Sequence, residues 1–223
     1  MCGRFTQKMT WTEIHTLYRM PERTPPVNLR PRYNGCPTQD FAVCRLEGSE
    51  RAVAKLRWGL VPAWAKDVKM GARLINARAE TVHEKPAFRA AFRRRRCLVP
   101  ADGWLEWRRD ADAKQPWFIA GADAAPLSFA GLWERWERDG EPMETFTIVT
   151  TAAAPALADL HPRQPAILEP SHFDEWLSPD TPPERLRALA RGAYDGPFER
   201  WPVAQRVNNA RDDAPDLLLP LDG

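Results

Sequence analysis

The sequence has no run of about 18 apolar residues, so no membrane-spanning helix is expected. Its first residues also lack the basic stretch and apolar core of a secretory signal. Charge of one sign is missing too: 32 Lys and Arg face 30 Asp and Glu, a formal net charge of +2. Bulk electrostatics therefore selects no partner, although local clusters of one sign still can. Cysteine is scarce. The four residues at positions 2, 36, 44 and 97 form no Cys-x-x-Cys pair, which argues against a zinc framework and fits a reducing compartment. No His/Cys cluster and no glycine-rich phosphate loop is present, so neither metal nor organic cofactor is expected. With no repeat, low-complexity tract or linker, the chain reads as one domain over 1–223, cytoplasmic and away from membranes.

Proline and tryptophan are abundant, at 22 and 10 residues. That much proline cuts a chain into short strands and loops, which favours a loop-rich α+β domain. Thr10 and Glu13 have capping-box spacing, and Trp11, Ile14, Leu17 and Tyr18 then share one helical face. "FAVCRLEGSERAVAKLRW" alternates about a Glu-Gly-Ser-Glu turn and predicts a hairpin. "RLINAR", "CLVP", "GWLEWRR", "PWFIAG", "LSFAGLW" and "ETFTIVTT" predict further strands. Ser171 is placed to cap "HFDEWL", and Thr181 with Pro182 to start "PERLRALAR", so two helices should close the chain. Mostly antiparallel sheet with helices packed outside is the economical architecture.

The chemistry begins at "MCGRF". Methionine aminopeptidase removes Met1 when the next side chain is small, which would leave a free amine and a thiol together on Cys2. A terminal amine, with a pKa near 8 against about 10.4 for lysine, is neutral roughly a few hundred times more often at neutral pH. It can condense with an aldehyde, and the thiol can then close on the imine carbon as a five-membered thiazolidine. Cys36, Cys44 and Cys97 follow ordinary amide nitrogens and read as small buried hydrophobes. An N-terminal cysteine equally suits an amidohydrolase or peptidase that attacks amides, and a noncatalytic DNA-binding module is a third possibility.

"MCGRF", "RYNGCPTQ", "RWGLVPAW", "LINARAET", "CLVPADGWLEW" and "LHPRQPAIL" follow one another through the chain. Together they resemble the SOS response-associated peptidase (SRAP) family of abasic-site processing proteins, from residue 2 to about "PVAQRVNNA". The resemblance implies a barrel-like sheet with peripheral helices. It also implies a monomer that binds single-stranded DNA, joins an abasic sugar covalently to its N-terminal cysteine, shields the lesion and associates with the nucleoid when on DNA. Weak lyase activity and self-processing at Met1 are part of the same expectation.

The family's active-site set falls on Cys2, Asn76, Glu106 and His161. Asn76 can hold the amine or a sugar oxygen through its amide. Strand alternation puts Glu106 on the same face as Trp104, where burial would raise its pKa for proton transfer. His161 sits near neutral pKa and can pass protons, while His15, His83 and His172 read as surface or packing residues. For DNA, Arg4 and Arg78 are the first phosphate candidates, with Lys85 and the "RRRR" run at 93–96 as extensions. Pro37, Trp64 and Trp107 match positions that meet bases or wedge a flanking duplex, and Thr150 matches a position near the strand. Cys36, Gln164 and the lone Trp64 before Ala65 depart from the usual pattern.

Overall fold

The computed structural model describes residues 2–109, 114–138, 140–192 and 194–221. Among the described residues, twelve strands fall into two sheets. Strands β3 (Asp40–Glu47) and β4 (Glu50–Trp58) form the expected hairpin, Glu47 opposite Glu50, and Gly48 supplies the positive φ of 64° in its turn. With β6 (Arg96–Ala101), β9 (Leu127–Arg138) and β10 (Glu141–Ala152) they run in the order β10-β4-β3-β6-β9, and β9 pairs back onto β10. The five strands thus close into a barrel, which leaves no open edge among them.

Alternation along these strands sorts the side chains. Phe41, Trp58, Phe129 and Phe146 share one buried cluster, and Phe41, Trp58 and Phe146 pack ring against ring. Ala42, Cys44, Leu98, Ala130 and Leu132 face the other way, toward the helices. These are α1 (Trp11–Leu17), α2 (Arg89–Arg94), α3 (Phe173–Leu177) and α4 (Pro183–Arg191). Since helices can cover only the outside of a closed barrel, the aromatic cluster fills its interior.

The second sheet is antiparallel, in the order β12 (Phe198–Pro202), β8 (Lys114–Gly121), β7 (Gly103–Arg109), β1 (Phe5–Gln7), β2 (Arg32–Gly35). Its β1 carries Phe5 onto the barrel aromatics, with ring centroids 4.4 Å from Phe41 and 5.1 Å from Trp58. The opposite face of β7 and β8 buries Leu105 and Phe118 against Val203, Val207 and Leu217. Two short strands, β5 (Asn76–Arg78) and β11 (Arg163–Pro165), attach to β10.

Local expectations hold where the signal is local. Thr10 and Glu13 form the capping box of α1, and all four cysteines are buried and free. Three readings are corrected. Ser171 lies in a 3-10 turn and His172, not Ser171, is the cap position of α3; Thr181 donates its hydroxyl to Glu175 O while Pro182 caps α4. "RLINAR" is strand only from Asn76, because Val68–Arg73 is a 3-10 helix. The helices do not close the chain, since β12 follows them and completes the second sheet. The β10–β4 and β10–β5 pairings are parallel, which the antiparallel reading had no local means to anticipate.

Candidate active site around Cys2

The site forms where the amino terminus, β5, β7 and the segment before β11 meet. Phe5 pairs with Trp104, and the Leu105 N–H donates to Arg4 O at 3.1 Å. Residues 2–4 run on from β1 outside the strand, close enough to β7 for the Glu106 carboxylate to act on the Cys2 thiol. Cys2 is fully buried, and its thiol lies 3.7 Å from Arg4 O. Burial, and next the Glu106 carboxylate, push that thiol far above its ordinary value, so it is a thiol and not a thiolate at neutral pH.

Asn76 opens β5, whose register on β10 sets Asn76 beside Ile148. Its Nδ2 donates to Cys2 O at 2.7 Å, and its buried Oδ1 receives no hydrogen bond among the described residues. Glu106 is buried on β7 on the same face as Trp104 and opposite Trp117. Loss of hydration raises its carboxyl to about 7. Glu106 and Trp104 line a crevice with Leu160, His161 and Arg163 that is too narrow to hold a water molecule. Burial holds His161 below its ordinary value, and its Nδ1 accepts the Arg163 N–H at 3.0 Å. A carboxyl poised near neutrality, a side-chain amide and a mostly neutral imidazole thus surround one cysteine. Such a set can move protons during addition to a carbonyl.

Arg163 is a residue the sequence reading passed over. It holds both oxygens of Glu80 at 3.0 Å and also reaches Thr150 O. Its place two residues after His161 in "LHPRQP" was the available signal. The ion pair keeps the Glu80 carboxyl below its usual range and ties the His161 segment to the chain just beyond β5.

The DNA candidates are distributed unevenly. Trp64 is 58% exposed, the one fully aromatic side chain among the large exposed hydrophobics. Arg78, at the end of β5, and Lys85 are exposed as well. Arg4 is half-buried, donating to Asn34 Oδ1 and Val207 O, each at 2.7 Å. Pro37 is half-buried in the turn after β2. Trp107 lies on the face of β7 opposite Glu106, with its indole on Asn208 Oδ1 at 2.8 Å. Thr150 is buried against Arg163. Of the arginine run, Arg95 pairs with Glu134, and buried Arg96 binds backbone carbonyls. His15, His83 and His172 meet Pro21 O, Glu84 and Glu175 respectively.

A closed barrel whose buried first residues face an acid, an amide and an imidazole defines a protein organised around its amino-terminal cysteine. The chain belongs to the SOS response associated peptidase (SRAP) family, whose model matches residues 1–210. It is 40% identical to the abasic site processing protein YoaM of Bacillus subtilis, covering 98% of this chain and 97% of that one. The abasic site processing protein YedK of Escherichia coli is 32% identical, over 99% and 100%. HMCES of Gallus gallus, which bears the same description, is 31% identical over 86% of this chain and 67% of that one. Among solved structures, a phage-related protein of Bordetella bronchiseptica superposes with a TM-score of 0.71 at 34% identity, over 92% and 95%. A Bacteroides thetaiotaomicron protein at 24% identity, with a TM-score of 0.82 over 99% and 100%, shares the fold.

Proposed function

We propose that the protein senses abasic sites in single-stranded DNA and caps them by a covalent thiazolidine bond through Cys2, shielding the lesion during the response to DNA damage. The carrying observation is the buried Cys2, fixed through its carbonyl by Asn76 and facing the Glu106 carboxyl. The relatives named as abasic site processing proteins favour the same substrate.

Met1 must leave first, and the family's description as a peptidase favours self-processing. The Cys2 amine then adds to the C1 aldehyde of the ring-opened sugar, and loss of water, with a proton given by the Glu106 carboxyl, leaves an iminium and the Glu106 carboxylate. The thiol sulfur attacks that carbon, its proton passes to Glu106, and the nitrogen lone pair returns as a neutral ring amine. Amine, thiol and aldehyde thus become thiazolidine plus water. Asn76 Oδ1 offers the new amine an acceptor, and His161 serves as proton carrier to the sugar oxygen. An iminium that escapes ring closure permits β-elimination, hence a weak lyase activity.

Abasic-site capture is favoured over amide hydrolysis by Cys2 because the relatives are named as abasic site processing proteins. In this reading the chain acts as one domain over 1–223 and as a monomer, in the cytoplasm and on the nucleoid when DNA-bound. Exposed Trp64, Arg78 and Lys85 lead the strand toward the site, with Arg4, Pro37, Trp107 and Thr150 nearer the chain terminus and β10.

The test is denaturing electrophoresis and intact mass after incubation with uracil-containing single strands treated with uracil glycosylase. Wild type should give a heat-stable shift with Met1 absent. Cys2→Ala should give none, and Cys2→Ser only a borohydride-reducible adduct. A heat-stable adduct from Cys2→Ala would refute the assignment of the nucleophile.

A further inference from the structure

Directly opposed residues of an antiparallel pair share a face of the sheet. The registers Glu106 with Trp117, Arg108 with Gln115, and Arg200 with Ile119 therefore set Glu106, Arg108, Trp117 and Arg200 on one face of β7, β8 and β12. On that face the Arg108 guanidinium lies 4.9 Å and the Arg200 guanidinium 5.8 Å from the Trp117 ring centroid. Trp117 is half-buried against the cluster that contains Cys2, and its indole N–H has no acceptor among the described residues. Arg108 lies two residues beyond Glu106 along β7, about 7 Å, and Arg200, level with Trp104 through Ile119, lies two strands across and two residues back, about 12 Å. Neither belongs to the six sequence blocks that mark the family.

We propose that Arg108 and Arg200, clasping Trp117 on the sheet face that continues outward from Glu106, form a phosphate subsite for the DNA strand flanking a lesion at Cys2. The inference rests on the abasic-DNA reading. A nucleotide whose sugar reaches Cys2 must carry its neighbouring phosphates across the rim of the cleft, and this rim presents two guanidiniums held in place by an aromatic plane. Arginine stacked in this way has lost side-chain freedom beforehand, so less is lost when it turns an N–H edge to a phosphate oxygen. Asp159 pairs with Arg200 and also feels the charge of Arg108, but its side chain is 52% exposed, and a solvent-exposed carboxylate is a weak competitor for a polyanionic strand. The DNA charge is complementary to this cluster even though the whole chain is nearly neutral.

The test is the salt dependence of noncovalent binding to an intact single-stranded oligonucleotide, read by anisotropy from 50 to 300 mM salt, with crosslinking to abasic strands measured in parallel. Each phosphate contact on a single strand contributes about 0.7 to the slope of log K against log salt. Arg108→Gln with Arg200→Gln should lower the slope by about 1.4 and weaken binding roughly tenfold at low salt, and each single variant should lower it by about 0.7. Arg108→Lys with Arg200→Lys, which keeps the charge, should keep the slope. A wild-type slope in the glutamine pair or in both singles overturns the subsite. So does an equal loss in the lysine pair, which would mark the arginines as struts holding the Asp159 segment. If wild type binds intact strands with the predicted slopes yet never crosslinks abasic ones, the covalent reading fails while the subsite stands.

Discussion

At the scale of single residues, the site is a competition between hydration and chemistry. Glu106 sits in a place that costs stability because the place is useful. Its carboxyl rises from 4.5 to about 7 on burial, so between those values the folded state binds more protons than the unfolded chain. The contribution of Glu106 to stability is therefore greatest below pH 4.5 and is lost as pH rises through 7. Glu106→Gln should be more stable than wild type by about 3 kcal/mol at pH 8 and nearly equal at pH 4, measured by urea denaturation. The same variant should slow crosslinking by about a hundredfold and remove the rise in rate that wild type should show as Glu106 ionises around pH 7. A variant no more stable at pH 8 than wild type would mean that Glu106 is solvated in solution. "MCGRF" suggested a candidate nucleophile, because only residue 2 can combine a free amine with a thiol, and the other family blocks raised it above an arbitrary second residue. Alternation set Glu106 on the face of Trp104 but left a solvent-facing carboxylate equally open, and the structure buries it. The Arg163 link to Glu80 was not, because it joins residues 83 positions apart.

Between elements, the decisive event is the docking of β1 between β2 and β7. A three-residue strand has little stability of its own; pairing with Trp104 and packing by Phe5 hold it in place. The hairpin β3–β4 and the α1 cap were readable because their partners are close in sequence. The starts of α3 and α4 were misread because Ser171 and Thr181 are spent in the preceding turn and on Glu175 O. Arg96 shows what a local charge run can conceal. Its guanidinium donates to the Phe92, Arg93, Trp176 and Ser178 carbonyls, closing the ends of both α2 and α3. Burial lowers its pKa to about 10, still charged at neutral pH. Arg96→Met should lose about 3 kcal/mol, since several buried carbonyls are left without donors. Arg96→Lys should recover less than half, because one ammonium cannot reach both helix ends. Arg94→Met, exposed at the end of α2, should change the urea midpoint by less than about 0.5 kcal/mol equivalent.

For the whole molecule, barrel interior and candidate site are one packed body. Phe129 lies 6.1 Å from Phe5 and 6.0 Å from Trp104, so it supports both the terminal segment and the strand of Glu106. Phe129→Ala should cost about 3–5 kcal/mol, lowering Tm by roughly 10 °C, and should reduce crosslinking beyond what the unfolded fraction accounts for. Phe129→Leu should restore most of both, and crosslinking intact in Phe129→Ala under folding conditions would separate site from core. By itself the sequence determined what depends on covalent identity and near neighbours: the thiol at residue 2, the strand alternation, the hairpin and the helix cap. Its ordered blocks also carried the family, and Gly59 shows why such blocks persist: its φ is 119°, and a Cβ there would meet Gly71 O at 2.6 Å. Tertiary structure alone decided barrel closure by β9 on β10, the parallel strands beside β10, and which face of β7 meets Cys2. It alone also decided which arginines close helices and which remain exposed. Each of those outcomes turns on contacts between distant parts of the chain, whose free energy depends on what is buried together, and no local pattern carries that information.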